Sequence, residues 1–153
     1  MTTPDELVRH FAAIYVERMQ GLPIVNPELS VEAVAFEPFE AHQLGVLISP
    51  WFMNLFLLPG DDSMNELAQG DSVKIELPSG AYDFTVSHDD AIGTLLSAIL
   101  FRTVADFPDQ ETARAIAEET ARLVRSEDEL KDQKKQAAKP LSRREFFANL
   151  GAG

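Results

Sequence analysis

Residues 48–60 read ISPWFMNLFLLPG and hold the chain's only tryptophan, with two phenylalanines, a methionine and three leucines. The block is too short to cross a bilayer as a helix, which takes roughly 20 apolar residues. As a strand it would alternate between two faces, with Trp51, Met53, Leu55 and Leu57 on one and Phe52, Asn54, Phe56 and Leu58 on the other. Because both faces are apolar, the stretch predicts a central strand covered by protein on each side.

A second interpretation gives the same stretch a binding role. One face would form the floor of a groove that receives an apolar segment of a partner. Asn54 would then hydrogen-bond a backbone laid across that face, whereas in a closed core it would be a satisfied amide. The candidate groove residues are Trp51, Phe52, Asn54, Phe56 and Leu58.

The residues on either side of this stretch predict an antiparallel sheet of about five strands. Apolar and polar residues alternate over 73–77 and 82–86, around a turn at Pro78-Ser79-Gly80. This pattern is typical of a hairpin with one wet face. Further strands are expected at 30–37, 43–49 and 51–58.

Helices are predicted before and after the sheet. Thr3-Pro4-Asp5-Glu6 is a capping box that begins a helix ending near Gln20, before Gly21. LPIVNP (22–27) is expected to be an extended connector. The run from Ala91 to about Phe107 is apolar nearly all round and predicts a buried helix, and an amphipathic helix follows Pro108-Asp109 and extends towards Lys131. The predicted fold is α+β: a single domain over 1–130 with two C-terminal helices, followed by a flexible basic tail over 131–153.

Charge and composition limit the classes of function. Residues 1–129 carry 7 basic and 23 acidic side chains, whereas residues 130–153 carry 6 basic and 2 acidic ones. An acidic body repels phosphate backbones, so we expect no nucleic-acid partner. The chain has no cysteine, which excludes disulfides, thiolate zinc sites and iron–sulfur clusters. With no secretory signal or membrane-spanning run in the sequence, we expect a cytoplasmic protein without membrane insertion.

The tail carries a short motif that matches an export signal. Ser142, Arg143, Arg144, Phe146 and Phe147 lie in SRREFF, which resembles the twin-arginine pattern S-R-R-x-F-F. Such a signal needs a long apolar stretch after the arginines, and the sequence ends six residues past Phe147. We therefore expect a mimic of such a signal, or a chance match, and not an export signal of this chain.

Three segments together resemble a known family. ERMQGLPIVNP (17–27), GVLISPWFMNLFLLP (45–59) and SRREFF are similar to the [NiFe]-hydrogenase assembly chaperones of the HybE/HupJ type. The resemblance implies a non-enzymatic protein without a cofactor that binds the small-subunit precursor and its twin-arginine signal before export. The large subunit is a further candidate partner. Several carboxylates flank the apolar block, and any of them could bind the arginines. The candidates are Glu37, Glu40, Asp61, Asp62 and Glu66.

Three alternatives belong to other classes: a metal site, an enzyme and a scaffolding or homo-oligomeric subunit. His88-Asp89-Asp90 combines an imidazole with two carboxylates, but helix capping by an aspartate explains it better than a metal site. No nucleophile-elbow, zinc-protease or phosphate-loop motif is present, so we expect no enzyme. The remaining alternative is a scaffolding or homo-oligomeric subunit that uses the strand at 48–60 as a fixed interface.

Overall fold

The computed structural model describes residues 2–126, which form an antiparallel sheet with a helix on each face. The elements are α1 (Pro4–Ile14) with a π-helical turn (Tyr15–Met19), β1 (Glu32–Phe39), β2 (His42–Ile48), β3 (Met53–Leu58), a 3₁₀ turn (Asp62–Met64), β4 (Ser72–Leu77), β5 (Gly80–Asp89), β6 (Gly93–Phe101) and α2 (Gln110–Val124). The sheet has six strands in the order β1-β2-β3-β6-β5-β4. The expected α+β class is confirmed, with one more strand and one fewer C-terminal helix than predicted.

Strand β3 lies at the centre of the sheet, as its two apolar faces predict. It pairs with β2 on one edge and with β6 on the other. Met53, Leu55 and Leu57 belong to the core beneath α2, whereas Phe56 and Leu58 belong to the core beneath α1. The predicted alternation therefore holds within the strand.

The sheet bends around α2, because both of its outer hairpins reach the end of that helix. The amide of Ser79, in the β4–β5 turn, donates to the carbonyl of Val124 at 3.3 Å. On the other side the Arg125 guanidinium donates to the carbonyls of Ala35 in β1 and Leu44 in β2. The α2 face is therefore concave, and α1 lies on the opposite, convex face.

The buried helix expected over 91–107 is wrong, because Gly93–Phe101 is strand β6. Asp89 does act as a cap, but its carboxylate accepts the amides of Ala91 and Ile92 at 2.7 and 3.2 Å within the β5–β6 turn. Gly93 takes a φ of 89° at the end of that turn. A short run that is apolar throughout has no visible period, and here pairing with β3 and β5 decides in favour of a strand.

The first and last helices follow the sequence more closely. The Thr3 hydroxyl accepts the Glu6 amide at 3.2 Å, and Gly21 has a φ of 87° after the helix. The helix changes to π geometry at Tyr15 but still ends near the predicted residue. Helix α2 ends at Val124, and the tail at 131–153 lies outside the described residues.

Candidate binding surface beside the first helix

Five aromatic rings cluster where α1 crosses the β2–β3 turn: Phe11, Tyr15, Trp51, Phe52 and Phe56. The Phe11 ring is in the middle, with centroids 5.2 Å from Phe52 and 5.7 Å from Phe56. The Tyr15 and Trp51 rings stack with centroids 6.2 Å apart. Trp51 therefore lies with α1, and its predicted place on the face of Met53 is wrong, because it sits in the turn before β3 begins.

The convex face beside this cluster is not fully covered. Ile99 lies directly opposite Asn54, so both project from the same face as Phe52 and Phe56. Strands β5 and β6 pair from Asp89/Gly93 to Thr85/Ser97, whereas β6 continues beside β3 as far as Phe101. Ile99 lies beyond the stretch paired with β5 and is 72% exposed. We call the surface formed by Trp51, Phe52, Asn54 and Ile99 the open patch.

Asn54 is the polar member of the open patch, and its carbonyl oxygen is unusual. Oδ1 is buried and has no hydrogen-bond partner among residues 2–126. The residue as a whole keeps partial exposure. A buried acceptor without a donor costs about 1–3 kcal/mol. A ligand that brings an N–H group to this strand would recover that cost after a rotation of the amide.

The connector between α1 and β1 adjoins the same turn. The Asn26 amide donates to the carbonyl of Pro50 at 2.7 Å, next to Trp51, and its side-chain nitrogen donates to the carbonyls of Val104 and Phe107, both at 2.9 Å. Apolar residues of the π-helical turn and of the connector are exposed: Val16 (68%), Leu22 (43%) and Ile24 (62%). From the sequence, this segment was expected to be an extended connector. Its apolar composition was the signal that it contributes surface.

The structure separates the candidate carboxylates from the open patch. Asp61 and Asp62 lie at the other end of β3, in a cleft of about 500 Å³ whose walls are Thr2, Pro59, Gly60, Asp61, Asp62, Asn65, Ile92, Gly93 and Thr94. Hydrogen bonds from Ser63 lower the pKa of Asp61. Glu37 forms an ion pair with Arg125 at 3.1 Å, and Glu40 and Glu66 are exposed. Asp83 of β5 is one carboxylate on the same face as Ile99, and it lies 4.0 Å from Lys74 of β4.

The side chains of His88 and Asp89 hold neighbouring segments together through hydrogen bonds. The His88 ring contacts the Thr94 hydroxyl at 2.9 Å and the Leu67 carbonyl. Asp89 lies 3.3 Å from the His10 ring and caps the β5–β6 turn. Within residues 2–126, no three histidine or acidic side chains are grouped as metal ligands would be.

Of the five candidate groove residues, three reach the surface. Trp51, Phe52 and Asn54 are partly exposed. Phe56 and Leu58 are only 3% and 1% exposed, because α1 covers them. Ile99 was missed because its segment was assigned to a buried helix. The tail candidates Ser142, Arg143, Arg144, Phe146 and Phe147 lie outside the described residues.

A partly open apolar surface next to a rigid sheet is typical of proteins that bind another polypeptide. In the described part of the chain, no helix is long and apolar enough to cross a membrane. Comparison with known proteins agrees with a binding protein of this kind. Residues 2–149 match the family model described as [NiFe]-hydrogenase assembly, chaperone, HybE, and the chain belongs to this family.

Relatives with similar sequences support the same assignment. The hydrogenase expression/formation protein HupT of Azotobacter chroococcum is 46% identical over 114 residues, which cover 73% of this chain and 75% of that protein. HoxT of Azotobacter vinelandii is 42% identical over 138 residues, which cover 89% and 88% of the two chains. The solution structure of HybE from Escherichia coli has the same fold, with a TM-score of 0.66, 24% identity and coverage of 81% and 78%.

Proposed function

We propose that this chain is a non-enzymatic, cytoplasmic maturation chaperone that binds the small-subunit precursor of a [NiFe]-hydrogenase through its twin-arginine signal peptide. The observation that carries the proposal is the open patch, which combines exposed apolar side chains with an unpartnered acceptor on a rigid central strand. The family assignment supplies the class of client, since its members are described as hydrogenase assembly chaperones. The large subunit is a further candidate partner of the same complex.

The chemistry of such a signal complements this surface in two respects. Its apolar stretch would cover Ile99 and the exposed edges of Trp51 and Phe52, which removes apolar area from water. Its two arginines would be attracted by the acidic body of the chain, in which residues 1–129 hold 23 acidic and 7 basic side chains. Charge would therefore speed the encounter, and apolar contact would provide most of the affinity.

The alternative of a fixed homo-oligomer interface on the strand at 48–60 has no support in the geometry. Strand β3 is hydrogen-bonded on both edges and covered on both faces over most of its length. A second copy could reach only the few residues of the open patch. A constitutive dimer with no affinity for signal peptides would nevertheless favour the scaffolding role over the chaperone role.

The test is a titration of a labelled twin-arginine signal peptide into the protein, followed by Trp51 fluorescence and peptide anisotropy. Ile99→Lys is expected to weaken binding at least 10-fold, because it places a charge where the apolar stretch would pack. Thr85→Lys is the matched control, since Thr85 is exposed on the same face one strand away and receives the same charge. It should change the affinity by no more than about 3-fold.

A peptide with lysines in place of both arginines tests the second part of the recognition. It should bind more weakly, because lysine lacks the forked donors that arginine presents to carboxylates. Equal weakening by Ile99→Lys and Thr85→Lys would show that charge, and not the open patch, determines the affinity. No binding by any variant, together with binding of folded hydrogenase subunits, would contradict signal recognition.

A further inference from the structure

We propose that SRREFF (142–147) of this chain binds the open patch and covers it until a client signal displaces it. The proposal rests on the proposed function, because it assigns a regulatory contact to the same surface. It concerns a contact within one chain, so it can also be tested without any client.

The open patch has an exposed apolar side chain beside an acceptor that is unpartnered within residues 2–126. Ile99 is 72% exposed although it lies on a strand next to the centre of the sheet. Beside it, Oδ1 of Asn54 is buried without a donor among the described residues. An apolar surface with an unpartnered acceptor is suited to a segment that brings aromatic side chains and N–H donors together.

The tail segment SRREFF has aromatic side chains next to strong hydrogen-bond donors. Phe146 and Phe147 offer two aromatic rings, and Arg143 and Arg144 offer several N–H donors each. Residues 130–153 carry 6 basic and 2 acidic side chains, opposite in sign to the body. On the patch side, Asp83 projects from the same convex face with a side chain that is 69% exposed. The segment therefore complements the patch in apolarity and the acidic body of the chain in charge.

The sequence after Ser126 is long enough for SRREFF to reach the open patch. The described chain ends at Ser126, just after Arg125 contacts Ala35 and Leu44 at the β1–β2 side of the sheet. The 17 residues from there to Arg143 extend at most about 60 Å. A domain of this size has a radius of gyration of about 14 Å and is roughly 36 Å across. The segment can therefore pass around the edge of the sheet to the convex face.

Tethering makes a weak contact sufficient for regulation. A segment on a linker of this length competes at an effective concentration of about 1 mM. If the isolated segment binds with a Kd near 0.1 mM, the tethered segment lowers the apparent client affinity by about 10-fold. A client with micromolar affinity then still displaces it, and the patch is covered when no client is present.

The experiment compares three proteins: the full chain, a version ending at Ala138, and a full-length variant with Arg143, Arg144, Phe146 and Phe147 all changed to alanine. The alanine variant keeps the tail's length and is the matched control. Because Trp51 is the only tryptophan, acrylamide quenching reports directly on one edge of the patch. We expect quenching to increase at least 2-fold in both altered proteins, and both to bind the signal peptide about 10-fold more tightly than the full chain.

Each outcome decides one of the two proposals. Equal quenching and equal peptide affinity in all three proteins would overturn the tail contact and leave the signal-binding role intact. Protection of Trp51 by the tail, with no binding of the signal peptide to any protein, would support the contact and contradict the proposed function. Protection that rises with protein concentration would show a tail bound to another copy, which would also overturn the contact within one chain.

Discussion

At the scale of single residues, Asn54 is notable because its position on the central strand does not provide, among the described residues, a hydrogen-bond donor for its amide oxygen. Its neighbours on the same face, Phe52 and Phe56, pack against Phe11 of the first helix. The Asn54 carbonyl oxygen, by contrast, has no donor within residues 2–126. A buried acceptor without a donor disfavours folding by about 1–3 kcal/mol, and a partner that supplies an N–H group would remove that cost.

Replacing Asn54 with leucine should raise the free energy of unfolding by about 1 kcal/mol or more, because the buried acceptor is removed and apolar area is gained. The midpoint of urea unfolding measures this directly. Asn54→Asp is the matched comparison: it has nearly the same shape but adds a charge, so it should destabilise the fold at neutral pH. A destabilised leucine variant would show that the amide has a stabilising partner and would remove the reason to regard it as a binding group.

At the scale of elements, strand β1 contains a bulge whose geometry depends on its partner strand β2. The β1–β2 register shifts between Val34 and Glu37, so Ala35 and Phe36 stand against Gly45 alone. Ala35 takes a φ of 55°, and its carbonyl accepts a hydrogen bond from Arg125. The bulge therefore bends β1 towards the end of α2 and fixes the curvature of that side of the sheet.

The Gly45→Ala substitution should destabilise the protein by about 1–3 kcal/mol, because the protein has no room for the added methyl group. A Cβ at this position would lie 2.4 Å from Cγ of Phe36 and 2.7 Å from its Cα. Chemical unfolding of the variant in the native and Phe36→Ala backgrounds separates the clash with the ring from the clash with the backbone. Part of the cost should persist without the ring, since the backbone of residue 36 stays equally close. Wild-type stability of Gly45→Ala would contradict the close approach.

At the scale of the whole molecule, the two sides of the sheet have different roles. The concave side holds α2 between the outer hairpins and contains most of the core. On the convex side α1 runs from the β5–β6 turn, where Thr2 donates to the Ile92 carbonyl, to the β2–β3 turn, where Tyr15 stacks on Trp51. One short helix cannot cover the convex face of six strands, and this is why the open patch exists.

An ion pair between β1 and α2 makes the stability of the fold depend on pH. Hydrogen bonds from Arg114, at 2.6 and 2.9 Å, lower the pKa of Glu32, with burial acting in the opposite direction and Gln110 adding a further bond. A carboxylate with a lowered pKa stabilises the fold above its unfolded pKa, about 4.3, and loses that contribution as the pH falls through the folded value.

Glu32→Gln should therefore be less stable than the wild type at pH 7, and the difference should disappear as the pH falls from about 5 to 3. The pair is partly exposed, with side-chain exposures of 43% for Arg114 and 28% for Glu32, so the difference at pH 7 should not exceed about 1 kcal/mol. Urea midpoints measured across this range test it, with Glu66→Gln in an exposed loop as the control. A difference that does not change with pH would show that the contribution is not electrostatic.

The sequence alone determined the features that depend on neighbouring residues. The capping box at Thr3, the alternation of Val73 and Ile75 with charged residues, and the opposite faces of β3 follow from periodicity and local hydrogen bonding. The resemblance carried by three short segments identified the family. These features are visible in sequence because the physical cause and its effect lie within a few residues of each other.

Features that depend on pairing between distant segments become visible only in the folded chain. Residues 93–101 form a strand because β3 and β5 provide hydrogen-bonding partners, which an apolar run by itself does not reveal. Ile99 and Trp51 belong to the candidate site because β5 is paired with β6 only as far as Thr85 and because α1 ends against the β2–β3 turn. A side chain is exposed or buried according to which segments pack over it. Those segments are often far apart in the chain, so the local sequence does not reveal them.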